Sequence, residues 1–206
     1  MCSLTDSPMA RNGKTIILAH DHGTEIGPSG FEGVEERLDP REVFEMARHD
    51  AVTALGIGKG LTETYYPSYE DDVALLAKLN GTSSLWSGEP YLPQNWSVEY
   101  AAELGADAIG YTIYPGSNRE PEMFEDFRWV QEHVVKAAAD VLLVLSGGAK
   151  VDDRAFLELV ERVVDAGVRG LAVGRNVWQR EDPYRMLDAL ERVVFKQEPA
   201  AVALDG

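Results

Sequence analysis

The chain has 206 residues, 45% of them apolar, which suits one globular domain with a sizeable core. Its 35 acidic side chains outweigh 19 basic ones for a net charge of −16, and this disfavours a nucleic-acid partner, because phosphate backbones are bound by clustered lysine and arginine. No run of about 18 apolar residues suggests a membrane span, MCSLTDSPMARNGK carries no apolar signal core, and the lone Cys2 forms no internal disulfide, so a cytoplasmic location is expected.

Apolar runs alternate with amphipathic segments from the start. TIILAHD (15–21) reads as a strand ending at Gly23, and DPREVFEMARHD (39–50) as a helix opened by an Asp-Pro start. AVTALGIG (51–58) reads as a buried strand. YEDDVALLAKL (69–79) reads as a helix, with a third strand near residue 80 at the GTSSLW that follows. SVEYAAELGA (97–106) is a helix with a glycine stop, and DAIGYTIYPG (107–116) a fourth strand. The segment PEMFEDFRWVQEHVV (121–135) then runs as helix into VLLVLSGG (141–148), a fifth strand. DDRAFLELVERVVDAG (152–167) is a helix, GLAVGRN (170–176) the sixth strand, and a last helix lies around 182–196.

Strands apolar on both faces, each followed by a helix, predict a parallel α/β sheet. Chemistry in such folds gathers at the C-terminal ends of the strands. Six strands are two short of a closed (β/α)8 barrel, and at roughly 30 residues per βα unit, two absent units would account for the length. The count by itself also fits a doubly wound sheet.

Three stretches carry candidate chemistry. VLSGGAK (144–150) and AVGRN (172–176) place glycines after consecutive strands, where backbone N–H groups can approach an anion and Arg175 can add a bidentate contact. Without a ligand, the same glycines serve tight strand-to-helix turns. In LAHDHGTEIGP (18–28), His20 and His22 share one strand face and Asp21 the other. Asp21 could orient a hydroxyl or move a proton, and with the histidines and Glu25 it offers a weaker metal alternative. Its bland alternative is a cap on the turn at Gly23. In GIGKGLTETYY (56–66), Lys59 ends strand two as an anion ligand, an amine nucleophile or a solvated lysine. No GxGxxG, Walker A or CxxC pattern occurs.

Taken together, LAHDHG, GKG with YYPSYEDD, KLNGTSSLW, GADAIGYTIYPGS, LSGGAK and AVGRNVWQR resemble the archaeal-type class I fructose-bisphosphate aldolases, in order and over nearly the whole chain. The resemblance implies a (β/α)8 TIM barrel and a cytoplasmic homo-oligomer. It implies reversible cleavage of fructose 1,6-bisphosphate to dihydroxyacetone phosphate and glyceraldehyde 3-phosphate, with no metal or other cofactor. By position Asp21 matches the family's active-site aspartate, and Ser146, Gly147, Gly148, Gly174 and Arg175 match its phosphate loops.

The family's Schiff-base lysine ends strand six, and its tyrosine acid/base follows strand five in a WSYPRG-like stretch. Neither stretch occurs in this chain. After PGSNREPEMFEDF, which resembles the family's fourth helix, FRWVQEHV resembles the helix before strand seven. The expectation is one domain, 1–206, of barrel type lacking two central βα units, with an internal join near 125–128. Of Lys14, Lys59, Lys78, Lys136, Lys150 and Lys196, none matches the Schiff-base position. Lys59 and Lys150 end strands and are possible additional site residues, whereas Tyr114 belongs to strand four and inherits no acid/base role. Two other functions remain open: a non-catalytic sugar-phosphate-binding member, and a related aldolase or transaldolase-like synthase of aromatic amino-acid precursors.

Overall fold

The computed structural model describes residues 7–21, 25–114, 116–137, 145–146 and 150–204, with side chains at 131, 134–137 and 145–146 left aside. Six strands form a parallel sheet: β1 (Thr15–Ala19), β2 (Ala54–Gly58), β3 (Leu75–Lys78), β4 (Ala108–Gly110), β5 (Leu145–Ser146) and β6 (Gly170–Val173). The helices are α1 (Pro40–Ala47), α2 (Lys59–Thr64), α3 (Val98–Glu103), α4 (Glu120–Ala137), α5 (Asp153–Asp165), α6 (Arg175–Trp178), α7 (Pro183–Val194) and α8 (Ala200–Leu204). None of the helices among the described residues is long and apolar enough to cross a membrane.

The sheet order is β4-β3-β2-β1-β6-β5. Neighbours therefore follow chain order throughout, with the last strand returning to pair with the first through Thr15–Gly170 to Leu18–Val173. That return is the ladder by which a (β/α) barrel closes on itself, and a doubly wound sheet has no such pairing. The expected barrel topology is present, opened between β4 and β5, which form the two ends of the curled sheet.

Alternation along the strands separates two apolar layers. Ile16, Leu18, Leu55, Ile57, Leu75, Leu171 and Val173 face outward into one core with Phe44 of α1, Leu157 of α5 and Leu190 of α7. Ile17 and Ala54 lie on the other, concave face, packed with Met9, Leu76, Ala108 and Ala172. The concave layer is built largely of alanine and glycine because little width is available there. A Cβ on Gly110 would stand 2.5 Å from Leu76 Cδ2.

One sequence expectation changes. The segment expected to be a helix to residue 79 carries instead the whole of β3, paired through Leu55–Leu75 to Gly58–Lys78 with β2 and through Leu76–Ala108 to Lys78–Gly110 with β4. Its alanines, leucines and lysine favour helix locally, but a slot between two parallel strands overrides that preference. GTSSLW is loop, not strand. The expected join near 125–128 falls within α4, which is one continuous helix over Glu120–Ala137. Met123 and Val130, two turns apart, are buried along it, and Val130 packs with Ala77, Leu79, Trp96 and Ala101 beside β3.

Candidate active site

A charged cluster stands at the C-terminal mouth of the concave face. Asp21 lies two residues beyond Ala19 of β1, and Lys78 two residues beyond Leu76 of β3, so both continue inward-facing rows. Lys78 Nζ donates to Asp21 Oδ2 at 2.7 Å and to Glu25 Oε1 at 3.0 Å. The Lys78 side chain is only 9% exposed, against 22% for Asp21 and 18% for Glu25.

Burial opposes charge on Lys78, but the two carboxylates outweigh it and hold the ammonium above its ordinary range. Glu25 is raised by burial first and by the Asp21 charge second, with Lys78 pulling the other way. Tyr114 lies within the same field: burial raises it first, followed by Glu25, with Lys78 opposing and Asp21 adding to the rise. The two carboxylates and the tyrosine thus share one electrostatic environment around a single amine.

The surrounding loops hold this cluster in place. Trp96 Nε1 donates to the Lys78 carbonyl at 2.6 Å, and Asn95 N donates to the Leu79 carbonyl at 2.9 Å. Buried Asn80 takes the Thr112 N–H on Oδ1 at 2.9 Å while its Nδ2 donates to the Thr112 and Leu92 carbonyls. These bonds extend the β3–β4 alignment past the ladder and satisfy backbone groups that the short strands leave over.

The second part of the candidate site follows β5 and β6. Ser146 ends β5 opposite Ala172, whereas Gly147 and Gly148 lie outside the described residues. Gly174 follows β6 directly and Arg175 opens α6. The loops are joined to each other by residues that sequence reasoning passed over. Asn176 Oδ1 accepts the Val151 N–H at 3.0 Å, and Arg180 donates to the Val151 and Asn176 carbonyls at 3.0 and 2.8 Å and pairs with Asp153. The α5 N-terminus is itself already capped, because Asp152 accepts from Ala155 N, so its dipole is less available to an anion than the sequence suggested.

The two additional lysines go elsewhere. Lys59 is half-buried, 3.9 Å from Glu63 and 5.2 Å from the Tyr100 ring centre. Lys150 is exposed and donates to the Gln179 carbonyl at 2.7 Å, serving as a further tie between the two loops. His20, part of the metal alternative, is buried edge-on to the Phe31 and Trp178 rings, and His22 lies outside the described residues. Among the described residues no three His, Cys, Asp or Glu side chains are grouped to share a metal ion.

Lys78 is the member of this charged cluster that the sequence reading missed. The signal was available in its position, a lone cation closing the apolar run VALLAK, but it could not be used while that run was taken for a helix.

The profile of the DeoC/LacD family aldolases matches this chain in two pieces, residues 15–137 and 129–180. A class 1 fructose-bisphosphate aldolase of Halobacterium salinarum is 45% identical, with 97% of each chain covered. That alignment runs over 255 positions against a chain of 206, so it passes over at least 49 positions of the relative. A class 1 fructose-bisphosphate aldolase of Thermoproteus tenax is 33% identical with both chains fully covered. The fold superposes, at a TM-score of 0.83 and 33% identity, on the structure of an archaeal fructose-1,6-bisphosphate aldolase whose catalytic lysine is covalently bound to the carbinolamine intermediate. This covers 94% of the present chain and 98% of that one.

Proposed function

The chain belongs to the DeoC/LacD aldolase family, and from that premise we propose that it is a class I, Schiff-base aldolase cleaving fructose 1,6-bisphosphate reversibly to dihydroxyacetone phosphate and glyceraldehyde 3-phosphate. The observation that carries this reading is the amine of Lys78 held between Asp21 and Glu25 at the strand ends where the fold does its chemistry. The reaction needs an amine to turn the ketone into an iminium that accepts electrons from the breaking C–C bond. It also needs a base at the C4 hydroxyl and an acid for the carbon left behind. Asp21, with Glu25 and Tyr114 in its field, supplies candidates for both proton roles.

The phosphate groups would be held by Ser146, Gly147, Gly148, Gly174 and Arg175. The Asn176–Val151 and Arg180–Val151 bonds support this assignment, because they keep the two loops in one alignment. We place the protein in the cytoplasm as a homo-oligomer working on phosphorylated sugars, without a cofactor. The reading is tested by incubating the chain with fructose 1,6-bisphosphate and following released dihydroxyacetone phosphate through its NADH-dependent reduction. No release at micromolar enzyme would refute it.

One observation favours a second reading. The sheet is open between β4 and β5, where the family resemblance puts both the usual lysine and the usual tyrosine. A sugar-phosphate-binding protein without turnover would bind fructose 1,6-bisphosphate, lose affinity on Arg175→Ala, and release no triose. The aromatic-precursor synthase ranks below both, since the relatives at 45% and 33% identity are named fructose-bisphosphate aldolases.

A further inference from the structure

The aldolase reading requires an amine, and the family's usual lysine has no counterpart in this chain. Resting on that reading, we propose that Lys78, at the end of β3, is the nucleophile that forms the iminium in this protein.

Elimination supports the choice. Lys14 donates to the Val194 carbonyl at 2.6 Å, near the start of β1 and hence at the opposite end of the sheet. Lys196 pairs with Glu191 on α7, Lys59 lies over Tyr100, and Lys150 is bonded to the Gln179 carbonyl. The Lys136 side chain is outside the described residues. Among the described lysines, Lys78 is the one whose amine stands in the concave mouth, buried and flanked by groups that can move its protons.

Geometry also favours its backbone. Lys78 pairs with Gly58 on β2, where an added Cβ would meet nothing within 4 Å, so the β2 flank of its stem stays open for a substrate. The Trp96 bond to its carbonyl fixes the end of the strand from which it projects.

The chemistry balances with the groups present. The Lys78 ammonium gives one proton to Glu25, and the freed nitrogen pair attacks C2 of the ketone while the C=O π pair moves to oxygen. Asp21 takes a second proton from that nitrogen and returns it to the oxygen, which gives a neutral carbinolamine. The hydroxyl then leaves as water with the proton stored on Glu25, and the nitrogen pair closes the C=N bond of the iminium. Ammonium and ketone have become protonated imine and water, and both carboxylates are restored. The same two carboxylates favour the ammonium at rest, so the free-amine fraction, and with it the trapping rate, grows as pH rises.

The test is borohydride trapping with dihydroxyacetone phosphate at about pH 7, 8 and 9, followed by intact-mass measurement and peptide mapping, on the unmodified chain and on Lys78→Arg. Arginine keeps a cation between the carboxylates, and far-ultraviolet circular dichroism checks that the variant is folded. The expected result is one adduct, on the peptide containing Lys78, rising with pH and reduced at least about tenfold in Lys78→Arg. An adduct on another lysine, an undiminished adduct in Lys78→Arg, or no adduct at all would overturn the assignment. Fructose 1,6-bisphosphate cleavage on the same samples separates the two claims. Cleavage with an adduct elsewhere removes Lys78 and leaves the aldolase reading, whereas a Lys78 adduct without cleavage keeps Lys78 and removes turnover.

Discussion

Replacing Arg180 by methionine tests whether the loops after β5 and β6 are held as one unit. Arg180 is 7% exposed, and its guanidinium serves the Asn176 carbonyl, the Val151 carbonyl and Asp153, with the Phe156 ring 5.8 Å away. A hydrogen bond to a charged donor contributes about 1.5–3 kcal/mol, and a carbonyl left buried without its partner costs about as much. Water can reach part of this region once the guanidinium has gone, so the two carbonyl bonds together are worth about 3 kcal/mol. The Asp153 partner is 44% exposed, which limits that ion pair to less than about 1 kcal/mol. Methionine retains most of the buried stem, so cavity cost is small. The expected loss of about 3 kcal/mol, at a urea slope near 2 kcal/mol per molar, lowers the unfolding midpoint by about 1.5 M without changing the slope. Because Val151 and Asn176 would keep only the Asn176 Oδ1–Val151 N–H bond between them, affinity for fructose 1,6-bisphosphate should fall in the folded variant as well. A midpoint shift below about 0.3 M would show that the clamp carries no such energy and refute the reasoning.

Two further outcomes follow from the concave face. Lys78→Met removes the cation that lowers Glu25, a carboxyl already above its ordinary 4.5 through burial and Asp21. A carboxyl whose folded value is raised gives stability that is present below its unfolded value and lost as pH rises through the folded one. The variant should therefore lose melting temperature more steeply than the unmodified chain as pH rises above Glu25's ordinary 4.5, and adding Glu25→Gln should flatten the curve; parallel profiles would contradict the account. Gly110→Ala would press a methyl to within 2.5 Å of Leu76 Cδ2. It should cost about 1–3 kcal/mol in urea unfolding, with partial recovery when Leu76→Ala is added, as overpacking predicts; a neutral single variant would show that the layer can yield.

Much of this protein was legible without coordinates. The β1, β2 and β6 runs are apolar on both faces and end in aspartate or glycine, a pattern that only a parallel sheet with working loops at its C-terminal edge satisfies. Asp21 and Arg175 stood out for the same reason, as polar residues placed where an apolar strand stops. Helices with caps in the sequence, such as α1 behind Asp39-Pro40 and α7 behind Asp182-Pro183, formed where they were expected.

What tertiary structure decided was everything that depends on distant neighbours. The alanines and leucines of VALLAK prefer helix in isolation, and became β3 only because β2 and β4 each offer a ladder of unpaired backbone groups. That choice turned Lys78 from a helix-surface lysine into the amine between Asp21 and Glu25. Asn176 and Arg180 likewise had no visible task until two loops more than 20 residues apart in sequence came together. The segment 120–137 needed no distant partner: a helix needs only local hydrogen bonds, and no proline or glycine interrupts 122–137, so it runs as one helix. Local patterns set which residues can form strands and caps, whereas the pairing of strands far apart in the chain set which of them meet at the mouth of the sheet.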